Sequence, residues 1–476
     1  MPDTIDAVLR AHAGLDKPMV VDPDSAIGYR ELNAGTAALA AGLLRAGIGK
    51  GTRVGLLMPN GTDWVRLALA ATRLGAVLVP LSTLLTPTEL DAQLRMAAVQ
   101  HLVVVDEFRG RRYPVQRDGL PALRRIWSTR EALACSDTGP LPHVRPADPL
   151  AILFTSGSSG TPKGVVHSHG NALAAVRSGL SARCITADTR LYLPMPFFWV
   201  GGFAGGVLSA LLAGATLVTE AVPTPDSTRA LLERERVTLF RGWPDQAETL
   251  ARHTGPLSTL LPGSLEALLP PELRSAPGAR ASLFGMTESF GPYCGYPADT
   301  DMPESAWGSC GKPFAGMDVR ITGDEPVGEI QIRGPHILRG ICRRSREEVF
   351  TPDGYYPTGD LGRFDADGFL FYHGRCDDMF KVSGATVYPS EVTRALRGVA
   401  GVRAAHVTEV SGRVGAAVVT DRSVHDLRMA AREVLSPFKI PTVWLTLDDE
   451  NHLPRGATGK VDLRALRTML SESEKP

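Results

Sequence analysis

The sequence predicts an α/β protein. A large N-terminal domain of mainly parallel sheets covered by helices is followed by a small α+β C-terminal domain. Strand-like and helix-like stretches alternate over 53–105 and again over 191–241, and repeated strand–helix–strand units imply a parallel sheet with helices on its faces. The chain has 476 residues, more than one ordinary domain holds. From 374 onward the pattern changes to a hairpin, short helices and strands that suit a smaller, separate unit.

The elements follow in order. Arg53-Val-Gly-Leu-Leu-Met58 is strand-like, and Thr62 or Asp63 is placed to cap a helix over 64–73. Ala76-Val-Leu-Val-Pro80 is strand-like again. Thr86-Pro-Thr-Glu89 opens the next helix with a capping-box pattern and an early proline. His101-Leu-Val-Val-Val-Asp106 is the following strand, and Leu150-Ala-Ile-Leu-Phe154 reads as a buried one. Residues 200–218 carry no charge, long enough to imitate a membrane span. Five glycines lie within them, however, with Pro194, Pro196 and Glu220 at the flanks. The segment reads as a buried Gly/Ala-rich helix over 202–213 running into a strand over 215–219. Asp365-Ala-Asp-Gly368 is a turn between two strands. Beyond 374, a hairpin is expected over 381–388, helices over 390–396 and 426–435, and strands over 403–410 and 414–419.

Composition narrows the function. Hydrophobic residues make up 43% and charged residues 21%, ordinary for a soluble globular protein. Net charge is zero without a basic block, so neither nucleic acid nor an anionic membrane surface is the expected partner. The six cysteines are scattered and form no CxxC pair, which points away from zinc and disulfide frameworks and towards a reducing cytoplasm. The acidic N-terminus has no signal-peptide pattern. Only eight lysines stand against 43 arginines, yet Lys163, Lys381 and Lys460 fall inside the motifs below. Lysine's compact ammonium suits point-charge phosphate contacts better than arginine's planar fork.

The most informative segment is Thr155-Ser-Gly-Ser-Ser-Gly-Thr-Pro-Lys-Gly164. It opens directly off the strand over 150–154. Its glycines let successive backbone N–H groups turn outward into an anion-binding concavity. Hydroxyls add donors and Lys163 adds charge, so a polyphosphate is the natural ligand. The Walker A spacing is not satisfied. A flexible Gly/Ser connector is the plainer reading.

Four further segments follow: Phe284-Gly-Met-Thr-Glu288, Thr358-Gly-Asp360, Gly374-Arg-Cys-Asp-Asp378 continuing through Lys381 and Gly384 to Glu391, and Pro454-Arg-Gly-Ala-Thr-Gly-Lys460. Together with the first they resemble, in order, the motifs of the adenylate-forming (AMP-binding) superfamily, in its acyl- and aryl-CoA ligase branch. The resemblance runs from 155 to 460 and implies two half-reactions. A carboxylate attacks the α-phosphorus of Mg·ATP to give acyl-AMP and pyrophosphate. The thiol of coenzyme A then displaces AMP.

The resemblance also implies roles. Thr155, Ser156, Gly157, Ser158, Ser159, Gly160, Thr161 and Lys163 would hold the phosphates. Phe284, Gly285 and Met286 would line the adenine site, with Phe284 where tyrosine is usual. Thr287 and Glu288 would serve catalysis, Glu288 holding Mg²⁺. Asp360 would bind the ribose hydroxyls with help from Arg375, and Lys460 would bridge carboxylate and α-phosphate. Asp377 would be the hinge of a mobile lid over 374–476, swinging against a body over 1–373. Ser383, Gly384 and Lys439 would meet coenzyme A. Taken singly, Asp360 also reads as a turn residue, Glu288 as a helix cap and Lys460 as a solvated loop lysine.

Pro194-Met-Pro-Phe-Phe-Trp-Val-Gly-Gly202 resembles the family's acyl-pocket segment. Phe197, Phe198, Trp199 and Gly201, with Trp243, suggest an apolar acid; an aromatic core cluster is the plainer reading. No acidic residue lies between Leu191 and Thr219, which disfavours an amino acid. The Arg/Ala/Gly-rich composition resembles natural-product ligases that act on bulky, terpenoid-like acids. The family's flat Gly-rich adenine strip is replaced by Leu265-Glu-Ala-Leu268. An inward Glu266 would weaken ATP binding relative to acyl-AMP. Two alternatives follow: an enzyme that performs only the thioester-forming half with acyl-adenylate made elsewhere, and a nucleotide-binding sensor on a ligase scaffold. Oligomeric state is open.

Overall fold

A computed structural model describes residues 2–115, 117–155, 162–323, 326–376, 380–382, 385–435, 439–456 and 460–473. By its internal contacts the chain forms two compact units. One comprises Met1–Val319, Ile332–Tyr356 and Ala366–Leu370; the other comprises Arg320–Gln331, Pro357–Asp365 and Phe371–Pro476. The second therefore also takes in stretches that lie before the boundary expected at 374.

The first unit is built on two mainly parallel sheets. The seven-stranded sheet has the order Gly340–Ile341, Lys163–Ser168, Pro149–Thr155, Val77–Leu81, Arg53–Leu57, His101–Val104, Arg125–Ser128. Its pairings are parallel except where Lys163–Ser168 runs against both neighbours. Side chains alternate across it as the strand period requires. Val54, Leu56, Leu78, Val103, Ala151 and Leu153 enter one core, and Leu57, Val77, Val79, Leu102, Val104 and Ile152 enter the other. Both faces are apolar because both are covered, the signature of parallel sheets. The five-stranded sheet, Leu239–Phe240, Arg190–Tyr192, Thr216–Val218, Pro18–Val21, Ala26–Gly28, is parallel except at its last pair.

Local signals explain most helix ends. The helix Pro87–Met96 starts on the expected capping box, Thr86 accepting from the Glu89 N–H and Glu89 from the Thr86 N–H. The helix Thr62–Arg73 corrects a detail: Gly61 is its N-cap, without a side-chain cap of its own. The Thr62 N–H donates to Asp22 Oδ2 at 2.9 Å, so the capping carboxylate comes from a distant loop. The uncharged stretch folds back inside the protein as helix Val200–Gly202, a π-helical turn Phe203–Leu208, helix Ser209–Ala213 and strand Thr216–Val218. Ser209 Oγ donates to the Ala204 carbonyl at 2.6 Å, across the widened turn. Among the described residues no helix is long and apolar enough to cross a membrane.

The second unit holds most of a four-stranded sheet, Asp318–Thr322, Gly328–Arg333, Tyr356–Phe364, Leu370–Arg375, whose last two strands meet at the expected 365–368 turn. The hairpin Phe380–Val382/Ala385–Val387 comes next. A three-stranded sheet of Val402–Val410, Arg413–Thr420 and Val443–Leu447 carries the helices Pro389–Arg397, Val424–Val434 and Leu463–Glu472. Its residues again alternate between two cores. Ala405, Val407, Ala416 and Val418 pack with Val392 and Leu427, and Ala404, Ala417 and Val419 with Leu466 and Leu470.

Candidate active site

In the first unit, Thr155 ends one strand and Lys163 begins its antiparallel neighbour, directly opposite. Both residues thus stand at the carboxyl end of Pro149–Thr155, the edge where open α/β sheets place their ligands. Ser156, Gly157, Ser158, Ser159, Gly160 and Thr161 lie outside the described residues.

Strand Phe284–Met286 runs into a 3-10 turn, Thr287–Ser289, and returns as Gly291–Gly295. Phe284 is half-buried, its ring edge-on to Tyr293 at 5.5 Å. Glu288 is 5% exposed, and its Oε1 accepts from the Tyr356 hydroxyl at 3.1 Å. The backbone of the turn is held from two sides. Leu338 N–H donates to the Glu288 carbonyl at 2.7 Å, and His167 Nε2 meets the Thr287 carbonyl at 2.8 Å.

The aromatic segment is pinned by Asn60. Its Nδ2 donates to the Met195 carbonyl at 2.9 Å and its Oδ1 accepts from the Phe197 N–H at 2.8 Å. Phe197 is fully buried against Trp64, whereas Trp199 and Trp243 are half-buried and stand edge to face at 6.0 Å. Phe198 packs edge-on to Trp199 at 5.5 Å. Gly202, beside Gly201, has no room for a side chain: a Cβ would sit 2.1 Å from the Pro196 carbonyl oxygen.

In the second unit, Asp360 is 8% exposed and its Oδ1 lies 3.2 Å from Arg375 Nη1, which also donates to the Thr358 carbonyl at 3.0 Å. Thr358 Oγ1 accepts from the Asp360 N–H, and Glu329 Oε1 accepts from the Gly359 N–H. Gly359 has φ +72°, which favours glycine, and a Cβ there would meet Arg375 Nη2 at 2.8 Å and push the guanidinium aside. Lys460 is exposed, and its carbonyl accepts from the Gly456 N–H at 2.8 Å. Lys439 Nζ lies 2.6 and 2.8 Å from the two Glu391 carboxylate oxygens. Asp377, Ser383 and Gly384 lie outside the described residues.

A family profile described as AMP-binding enzyme matches residues 9–342, most of the chain. The chain belongs to the AMP-binding enzyme family. It is 31% identical to the 3-(7a-methyl-1,5-dioxo-octahydro-1H-inden-4-yl)propanoyl:CoA ligase of Mycobacterium tuberculosis, covering 98% of both chains. It is 32% identical to a feruloyl-CoA synthase of Amycolatopsis, covering 92% of each. Among solved structures, o-succinylbenzoate CoA synthetase of Bacillus subtilis with its acyl-adenylate intermediate matches with a TM-score of 0.83 at 25% identity, over 100% of this chain and 99% of that one.

Within this AMP-binding enzyme the altered strip takes a form the sequence did not suggest. Glu266–Leu268 is a 3-10 turn. Leu268 and Leu269 are fully buried with Phe240 and Leu250, and Leu265 packs on the same core. Glu266 Oε2 accepts from the Ser275 N–H at 2.9 Å, and Arg280 Nε lies 3.9 Å from Oε1. The carboxylate is thus engaged by its own neighbourhood.

Sequence reading also missed the supports: Asn60, His167, Asn171, Glu329 and Tyr356. Each acts through a partner far along the chain. The one local clue is Ser168-x-x-Asn171, a capping pair at the start of helix His169–Ser178.

Proposed function

We propose that this AMP-binding enzyme activates an apolar, ring-bearing carboxylic acid as its acyl-AMP and transfers it to coenzyme A. The chain is an AMP-forming acid–CoA ligase that makes a carbon–sulfur bond, with ATP and coenzyme A as substrates; its relatives are CoA ligases for varied acids. The observation that carries the choice of acid is the edge-to-face Trp199–Trp243 pair beside a segment without acidic side chains. Such a pair offers a ring-shaped ligand broad apolar contact. Relatives that act on a bicyclic propanoate and on ferulate point the same way.

The residues divide the labour as follows. Lys163, Thr155 and the loop between them hold the β- and γ-phosphates, and Phe284 stacks on adenine. Thr287 and Glu288 face the reacting phosphates. The family implies Mg²⁺, and Glu288 fits it. Its carboxylate is a hard oxygen donor held in place by Tyr356, and Mg²⁺ characteristically takes one or two carboxylates and completes its shell with phosphate and water oxygens. When bound, it neutralises charge that develops on the phosphates. Asp360, fixed by Arg375, accepts from the ribose hydroxyls. Lys460 supplies the cation between carboxylate and α-phosphate. The C-terminal residues from 374 act as a lid hinged at Asp377 that exchanges Lys460 for the Ser383–Gly384 hairpin in the second step, with Lys439 bracing that lid through Glu391. The six scattered cysteines, with no CxxC pair in the sequence, fit a reducing cytoplasm.

The test is a panel of aromatic, polycyclic, fatty and short dicarboxylic acids mixed with ATP and coenzyme A, with AMP and thioester both measured. Highest kcat/KM for a ring-bearing acid supports the reading. Preference for a short or dicarboxylic acid overturns the acyl assignment.

A further inference from the structure

His167 plays no part in the roles assigned above, yet it is completely buried between two motifs that do. It lies on the strand Lys163–Ser168 that leaves the phosphate loop. Side chains two and four apart on a strand share a face, so Lys163, Val165 and His167 point the same way. His167 reaches the Thr287 carbonyl at 2.8 Å.

The hydrogen-bond network assigns the tautomer. The Ser168 N–H donates to Asn171 Oδ1 at 2.6 Å, which makes the other amide atom the nitrogen. Asn171 Nδ2 then donates to His167 Nδ1 at 2.8 Å and to the His336 carbonyl at 3.2 Å. Nδ1 is therefore an acceptor, and the ring proton is on Nε2, donated to Thr287. Burial pushes the imidazole pKa down to about 3, with the Thr287 carbonyl opposing, so the ring stays neutral in working conditions. Phe290, at φ +53° just after the turn, packs edge-on to the ring at 4.8 Å and fixes its plane.

We propose that His167 is a positioning residue for the first half-reaction: it ties the Thr287–Glu288 turn to the strand that carries Lys163, so that the phosphate cation and the metal-binding carboxylate keep one spacing. The inference rests on the adenylation reading above. A neutral donor suits this task. It fixes the backbone carbonyl without placing a second positive charge that would compete with a divalent cation at Glu288.

The experiment compares the wild type with His167→Leu and His167→Gln. Leucine keeps apolar bulk and loses the donor; glutamine keeps a donor of similar reach. Three quantities are read: pyrophosphate exchange as a function of Mg·ATP, calorimetric affinity for Mn·ATP, and thioester formation from supplied acyl-AMP and coenzyme A. His167→Leu is expected to raise the KM for Mg·ATP and weaken Mn·ATP binding about tenfold, the scale of a lost buried hydrogen bond. Thioester formation should stay within twofold, and His167→Gln should recover most of the loss. Equal loss in both half-reactions, or an unchanged Mn·ATP affinity in a folded His167→Leu, overturns the inference alone. If His167→Leu does not fold, a folded His167→Gln that has lost Mn·ATP affinity tenfold also overturns it. Absence of exchange in the wild type overturns the adenylation reading together with the inference.

Discussion

Removing one oxygen atom tests how Glu288 is held. Tyr356→Phe deletes the hydroxyl that donates to Glu288 Oε1 at 3.1 Å and keeps the ring, which packs edge-on to Phe350 at 6.3 Å. Both residues are sheltered: Tyr356 is 7% and Glu288 5% exposed. A hydrogen bond to an ionised group in such a place is worth about 1.5–3 kcal/mol. At about 1.4 kcal/mol per decade, that corresponds to roughly 10- to 100-fold in the population of correctly placed carboxylate. If Glu288 serves the nucleotide's phosphates, the whole loss appears in the first half-reaction. Pyrophosphate exchange should fall by that factor, and thioester formation from supplied acyl-AMP should stay within twofold. Melting temperature monitors any general damage. An equal fall in both half-reactions would refute the reasoning, as would full exchange activity in the variant, because then Tyr356 would not be placing a carboxylate that the chemistry uses.

Other outcomes follow from the same geometry. Lys460→Ala should cost orders of magnitude in acyl-AMP formation, in line with the loss of one charge stabiliser; stopped-flow measurement of each half-reaction should show the second half largely spared. Trp199→Ala removes about 100 Å² of apolar contact, or about 2.5 kcal/mol at about 25 cal/mol per Å²; the KM of the preferred acid should rise by one to two decades while that of ATP stays put. Arg375→Lys breaks the paired contacts to Asp360 and the Thr358 carbonyl, and nucleotide affinity measured by calorimetry should fall about tenfold. His169 is fully buried with a pKa pushed down by burial to about 4, its Nδ1 accepting from the Ile5 N–H. The unfolded chain takes up that proton near pH 6.5 and the folded one resists, so this contribution is present above pH 6.5 and lost as pH falls towards 4. Urea titrations should show about 2 kcal/mol lost at pH 5 relative to pH 7.5 from this group, and His169→Gln should flatten that slope.

What was legible in the sequence was local or periodic. The capping box Thr86/Glu89, the strand–helix alternation and the 365–368 turn each depend on neighbours a few residues away, and each appears in the structure. The cap of Thr62–Arg73 was not legible, because its carboxylate, Asp22, is brought by a loop between other strands. The π turn at Phe203–Leu208 was not legible either, since a glycine-rich apolar run reads alike for any helix. Glu288 in the first unit and Asp360 and Arg375 in the second were readable as members of motifs, and the structure adds what holds each. Tyr356 grips Glu288, Glu329 and Thr358 fix the Gly359–Asp360 turn, and Asn60 pins the aromatic segment. Thr358 lies inside a motif, but Tyr356, Glu329 and Asn60 have no sequence signature, because a tertiary hydrogen bond leaves no periodicity.

The Leu265–Leu268 strip and Trp243 are two ends of one piece of packing. Helix Pro244–Thr254 begins at Trp243, its N-cap, and buries Ala247 and Leu250 in the same core that receives Leu268 and Leu269. Leu265 closes that core from the side, its N–H donating to the Phe240 carbonyl at 3.2 Å. A glycine-rich strip would remove the side chains of Leu265 and Leu268 from this core. Leucines brace it. Glu266, the one residue that argued against a polyphosphate nearby, spends its carboxylate on the Ser275 N–H, with Arg280 beside it. The departure from the family pattern therefore adds apolar partners to the helix that starts at Trp243, while the Glu266 carboxylate is met by its own neighbours, an arrangement compatible with the proposal that this enzyme makes its own acyl-AMP.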